Sequence, residues 1–213
     1  MFTSKKIEEL GSLRGIAACL VVIYYIPLWN PINNFSLIRN GYLMVPLFFV
    51  LSGFVIYKSY SNNLNNKKDI LRFMFLRFGR LYPVHITFLL IFIFIEAAKW
   101  YDQNNYGVTS PNSYPFRLNN VTALFKNIFL LQAFAPEHTF NGPAWSISAE
   151  FYTYFLFALL VVYLKKLKTI TILALTVGSL WLLFCNYEPG LGDFLSCTSG
   201  FFWDVTFPVA WKK

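Results

Sequence analysis

The chain has 213 residues, of which 56% are hydrophobic, 20% aromatic and only 13% charged, so it is too apolar for an ordinary soluble surface. Its formal net charge of +8 raises nucleic acid as a partner. The basic residues, however, gather between apolar runs with no aromatic-rich polar face beside them, which membrane topology explains and nucleic-acid binding does not. Cys19, Cys185 and Cys197 form no C-x-x-C pair and have no histidine at metal-ligand spacing, so no metal is expected.

Runs approaching the roughly 20 apolar residues of a membrane-spanning helix predict an all-α, polytopic integral membrane bundle of about five spans. The first is Ile16–Pro31. The "IAAC" ending at Cys19 looks like a lipoprotein cleavage box, but the residues before it, "KKIEELGSLRG", are charged where such a signal is apolar. No small-residue cleavage site follows the run, which is therefore expected to remain as a span. Arg14 and Tyr25, eleven residues apart, share a helix face at about three turns, roughly 16 Å along the axis. A structural role is open to both, Arg14 as a charge anchor and Tyr25 as an interfacial aromatic.

The second span, Tyr42–Tyr57, carries Ser52 and Gly53, small residues that suit close helix packing as well as chemistry. "SNNLNNKKD" (61–69) reads as a polar turn. In "RFGRLYP", Arg77 and Arg80 share a face just before the third span, Leu81–Ala98, and paired guanidiniums match phosphate oxygens; the competing reading is topology again. His85 enters this span and Glu96 closes it as an interfacial residue. The Asn- and Pro-rich stretch 101–120 is an outer loop, and Val121–Phe134, short and carrying Lys126, Asn127 and Gln132, suits an interfacial or re-entrant helix. His138 lies in the next loop; neither histidine is placed opposite a nucleophile.

The fourth span, Ile147–Leu164, opens with "NGPAWSISAEFYTYF" and buries Glu150 in an apolar run, costly unless the carboxylate is paired or protonated; an arginine is its expected partner. Thr169–Tyr187 is the fifth. Beyond it, glycines, prolines and scattered charge predict an irregular tail, which divides the chain into a membrane domain over 1–187 and a tail over 188–213. Basic residues collect at Lys5, Lys6 and Arg14, at Lys58, Lys67, Lys68, Arg72, Arg77 and Arg80, and at Lys165, Lys166 and Lys168, with only Arg39, Lys99, Arg117 and Lys126 between spans on the other side. This bias predicts a multi-pass protein of the cytoplasmic (inner) membrane with its N-terminus cytoplasmic.

Four blocks, "LRGIAACLVVIYY", "VPLFFVLSGFVIY", "FLRFGRLYP" and "NGPAWSISAEFYTYF", resemble in order and spacing the membrane-bound acyltransferase-3 family, whose members O-acylate, typically O-acetylate, surface glycans. The resemblance implies that acyl-CoA, usually acetyl-CoA, is the co-substrate and that a glycan or lipid-linked sugar is the acceptor. By position, Arg14 matches the arginine of the Arg-x10-His motif, Arg77 and Arg80 the Arg-x-x-Arg pair, Ser52 to Phe54 the turn of the second span, and Glu150 the acid after Trp145 and Ser146. The resemblance thus implies catalytic roles for Arg14, position 25 and Glu150 and donor binding by Arg77, Arg80 and Ser52.

The family's histidine is replaced by Tyr25. A phenol titrates near 10 against about 6.5 for imidazole, so it is a poor proton acceptor at neutral pH. The chain also reads as the N-terminal half of such a protein, which would leave Arg14 and Glu150 facing lipid unless a second chain completed the bundle. A non-catalytic remnant or pseudoenzyme is therefore the alternative to an active enzyme. A small transporter ranks last, because no paired, Gly/Pro-broken helices in two related halves are present.

Overall fold

The computed structural model describes residues 4–25, 35–107, 114–134, 140–164, 168–185 and 191–210, with the side chains of 4–11, 14, 168–169 and 204–210 outside the description. Among these residues every regular element is helical: α1 (Ser4–Tyr25), α2 (Ser36–Arg39), α3 (Met44–Tyr60), α4 (Lys67–Tyr106), α5 (Val121–Ile128), α6 (Trp145–Tyr163), α7 (Lys168–Cys185) and α8 (Leu191–Ala210). Three helical stretches, Gly41–Tyr60, Lys67–Tyr106 and Gly142–Tyr163, are long and apolar enough to cross a membrane. The first and fifth predicted segments correspond to shorter apolar helices, Gly15–Tyr25 and Ile170–Cys185, with residues 26–34 outside the described set. The protein is an all-α, polytopic membrane bundle.

Two elements differ from the sequence reading. The third span does not begin at Leu81: α4 runs unbroken over 40 residues, about 60 Å at the rise of an α-helix and twice the hydrocarbon thickness of a bilayer. Its start is set by a capping box in which Asn66 Oδ1 accepts from the Asp69 amide at 3.0 Å and Asp69 Oδ2 accepts from the Asn66 amide at 3.2 Å. The last residues of the expected polar turn are thus the first turn of α4. Pro83 lies inside the helix, and Thr87 Oγ1 bonds its carbonyl at 2.8 Å. Gly107, at φ 65°, ends α4 in the left-handed conformation that glycine adopts without penalty.

The second difference is the tail, where 191–210 forms α8 instead of an irregular segment. Its small residues are a packing surface. A Cβ added to Gly53 of α3 would lie 2.1 Å from the Phe201 carbonyl oxygen, and one on Gly200 would meet the Phe49 Cβ at 3.4 Å. The backbones of α3 and α8 therefore approach as closely as small residues allow, the usual way that membrane helices gain contact where lipid offers no hydrophobic drive. Ile56, Phe73, Tyr154, Phe157, Phe201 and Phe202 close the main core where α3, α4, α6 and α8 meet.

The segment 121–134 is short, as its polar residues predict: α5 followed by a three-ten turn over Gln132–Phe134. Side chains of α4 receive its last carbonyls, with His85 Nε2 2.9 Å from the Asn127 oxygen and the Tyr82 hydroxyl donating to the Ile128 oxygen at 3.2 Å. On the same helix, buried Glu96 accepts from Lys99 Nζ (2.8 Å), Asn119 Nδ2 (3.1 Å) and the Phe116 amide (2.9 Å). Glu96 is the clamp that ties the loop before α5 to α4.

Candidate active site

The four blocks singled out in the sequence lie on α1, α3, α4 and α6, and the fold brings them around one cavity. Its volume is about 410 Å³, within the roughly 300–1,000 Å³ of small-molecule sites. Gly15, Ala18 and Val21 of α1 with Val45, Phe48 and Phe49 of α3 make the apolar wall; Arg80 of α4 with Ser146 and Glu150 of α6 supply the polar end.

Glu150 sits in the second turn of α6 because Pro143 and Gly142 open the helix and the apolar run from Phe151 carries it inward. Its Oε1 accepts from Ser52 Oγ at 2.7 Å and from the Tyr154 hydroxyl, while Ser52 Oγ and the Tyr154 oxygen lie 2.5 Å apart. Among the described side chains these two hydroxyls are its partners, and Arg80 shares the cavity without an ion pair to the carboxylate; the Arg14 side chain lies outside the description. The physical reason is reach: Ser52 meets Glu150 from α3 and Tyr154 meets it from one turn further along α6, so uncharged donors engage the carboxylate without the desolvation of a second ion.

Arg77 and Arg80 share a helix face but go to different surroundings. Arg80 is exposed at the cavity. The Arg77 guanidinium stacks 5.0 Å over the Tyr60 ring, 5.4 Å over Phe73 and 5.8 Å over Tyr154, and its Nη2 donates to the Tyr60 hydroxyl at 2.9 Å. Ser52 likewise gives its hydroxyl to Glu150, so these two residues, both named for donor binding by the resemblance, have partners within the bundle.

Arg14 falls on α1 with its side chain outside the described ones; its backbone position shares a stripe with Ala18 and Val21, which line the cavity. Tyr25 continues that stripe one turn beyond Val21. It is 45% exposed, stands edge-on to Tyr24 at 5.3 Å and is not among the lining residues. His138 lies outside the described residues. His85 is 2% exposed and held by the Asn127 carbonyl, so it serves as an anchor for α5. Its replacement by alanine is expected to cost about 1–3 kcal/mol by orphaning a buried carbonyl, read as a lower unfolding temperature.

The residue that the sequence reading missed is Tyr154. It lies four positions after Glu150 on the same helix, a spacing that places two side chains on one face, and that signal was available.

A family model described as an acyltransferase domain, of the acyltransferase-3 type, matches residues 7–208. The chain belongs to this acyltransferase family, and the match takes in most of α8, so the resemblance extends past residue 187 into the expected tail. Among curated proteins, the acyltransferase MdmB of Streptomyces mycarofaciens is 33% identical over 126 residues, 56% of this chain and 28% of that protein. The peptidoglycan O-acetyltransferase OatA of Listeria monocytogenes is 26% identical over 187 residues, 85% of this chain and 28% of its own length. The chain thus spans little more than a quarter of the length of either relative. No solved structure matches.

Proposed function

We propose that this chain belongs to a membrane O-acyltransferase that moves an acyl group, acetyl in the first instance, from acyl-CoA to a hydroxyl of a cell-envelope glycan. The observation that carries this reading is the cavity in which Arg80, Ser146 and Glu150 converge within the family's matched region. Transfer needs a proton acceptor for the attacking hydroxyl and a cation for the donor's phosphates. Glu150 is the carboxylate at the cavity, and Arg80 is the described guanidinium that reaches it, with position 14 on the adjoining stripe. The O-acetyltransferase relative supports acetyl as the group and a glycan as the acceptor.

The charge bias supports an N-terminus on the cytoplasmic side of the inner membrane, with the arginine-bearing helix ends on the side where acyl-CoA is made available. Partners in this reading are lipid and a glycan or lipid-linked sugar. Phe75, Phe88, Leu90 and Phe94 are exposed along α4, a surface for lipid to cover.

Tyr25 favours a second reading, a pseudoenzyme that binds donor without turnover. Membranes carrying the chain, given radiolabelled acetyl-CoA with and without peptidoglycan or polysaccharide, separate the two: label entering the glycan supports the enzyme, whereas donor binding with no label transferred supports the pseudoenzyme. In the same assay Tyr25→His is expected to raise transfer by about 100-fold, the lower range for a positioned general base. An unchanged rate removes position 25 as the limiting residue.

A further inference from the structure

The hydroxyl that meets Glu150 from its own helix belongs to a side chain fixed on every side. Tyr154 is 4% exposed, and the rings of Phe73 and Phe201 meet it edge-on at 6.1 and 5.8 Å. Above it lies the Arg77 guanidinium, itself sandwiched against Tyr60 and Phe73. Arg77 Nε is buried with no hydrogen-bond partner among the described residues. A guanidinium set out to bind phosphate would keep its donors open to the ligand; this one gives its faces to aromatic rings, where a cation is stabilised by the ring quadrupole.

We propose that Tyr154 is the positioning residue of Glu150 and that Arg77 acts behind Tyr154, not on the acyl donor. The inference rests on reading the cavity as the transfer site. Tyr154 and Ser52 both engage Oε1, which fixes the carboxylate's rotation and leaves Oε2 as the oxygen for the acceptor hydroxyl. Arg77 keeps the Tyr154 ring from turning, so the order runs from Tyr60 through Arg77 and Tyr154 to the carboxylate. A reacting group held about 1 Å out of place can lose two orders of magnitude in rate, so a residue that never touches substrate can still govern turnover.

The test uses the full chain in membranes and two readouts. Infrared spectroscopy identifies the Glu150 carboxylate stretch as the band that Glu150→Gln removes; steady-state transfer of labelled acetyl from acetyl-CoA gives kcat and the donor KM. Tyr154→Phe keeps the ring and deletes the hydroxyl. It is expected to move the Glu150 band and to lower kcat about ten-fold or more with the donor KM within about two-fold. Arg77→Lys keeps the charge, loses the planar stacking and is expected to move the same band, which keeps the inference testable if the tyrosine variant fails to fold. A Glu150 band unmoved in a folded Tyr154→Phe or Arg77→Lys protein overturns the proposal, as does a raised donor KM with kcat unchanged in Arg77→Lys. A shifted band in a protein that transfers nothing even as wild type upholds the positioning and sinks the acyltransferase reading instead.

Discussion

Replacing Glu150 by glutamine is expected to lower acyl transfer by about 100-fold or more, in the range attributed to a positioned proton acceptor, while leaving the protein folded. The amide has the carboxylate's shape, and its oxygen still accepts from Ser52 and Tyr154, the two hydroxyls that hold Oε1. What is lost is the carboxyl group at the polar end of the cavity, and with it the group able to take a proton from an attacking hydroxyl. Labelled-acetate transfer measured beside a thermal melt separates the outcomes. A loss of transfer at an unchanged melting temperature assigns the effect to chemistry; transfer within a few-fold of wild type would show that another group takes the proton.

The second large effect is structural. Gly53→Ala is expected to cost about 3 kcal/mol or more, the upper range for overpacking. The obstacle is the Phe201 carbonyl oxygen, 2.1 Å from the new Cβ, and backbone cannot rotate out of the way as a side chain can. Relief requires α3 and α8 to separate, which also loosens the ring contacts of Phe201 with Tyr154 and Phe157. Gly79→Ala is the control, because nothing lies within 4 Å of the added Cβ and the helix gains about 0.5–1 kcal/mol. Thermal unfolding in detergent should lower the first variant's midpoint and leave the second's unchanged or raised. Equal midpoints for the two would refute the close approach of α3 and α8.

The consequence for Ser52 and Gly53 is that adjacent residues of one short motif do different work. The sequence left packing and chemistry as alternatives for the pair. In the fold Gly53 faces α8 and Ser52 faces Glu150, as consecutive helix positions about 100° apart can.

Much of the architecture was legible in the residues because lipid leaves few choices. Long apolar runs have to be helices if their backbone groups are to be satisfied, so the spans on α3, α4 and α6 follow from composition. The short, polar-marked segment 121–134 likewise stops being a span for want of length. Glu150 announced itself as a charge in an apolar run, and the four ordered blocks carried the family resemblance that the match over residues 7–208 confirms.

Only the tertiary structure decided what those residues meet. Hydropathy counted the glycines of 191–210 as breaks, yet the segment forms α8, and Gly200 with the neighbouring Phe201 backbone lies against α3. Charge alone paired Arg77 with Arg80, and the packing of Tyr60, Phe73 and Tyr154 separates them. A cation was expected beside Glu150 because only charge shows in a one-dimensional pattern; its partners among the described side chains are hydroxyls. The hydroxyls that hold it come from positions 98 residues upstream and four residues downstream. Hydrophobic periodicity determines that a segment is helical and buried; which polar atoms then face one another depends on helix rotation and contact depth, and those exist only once the helices have packed.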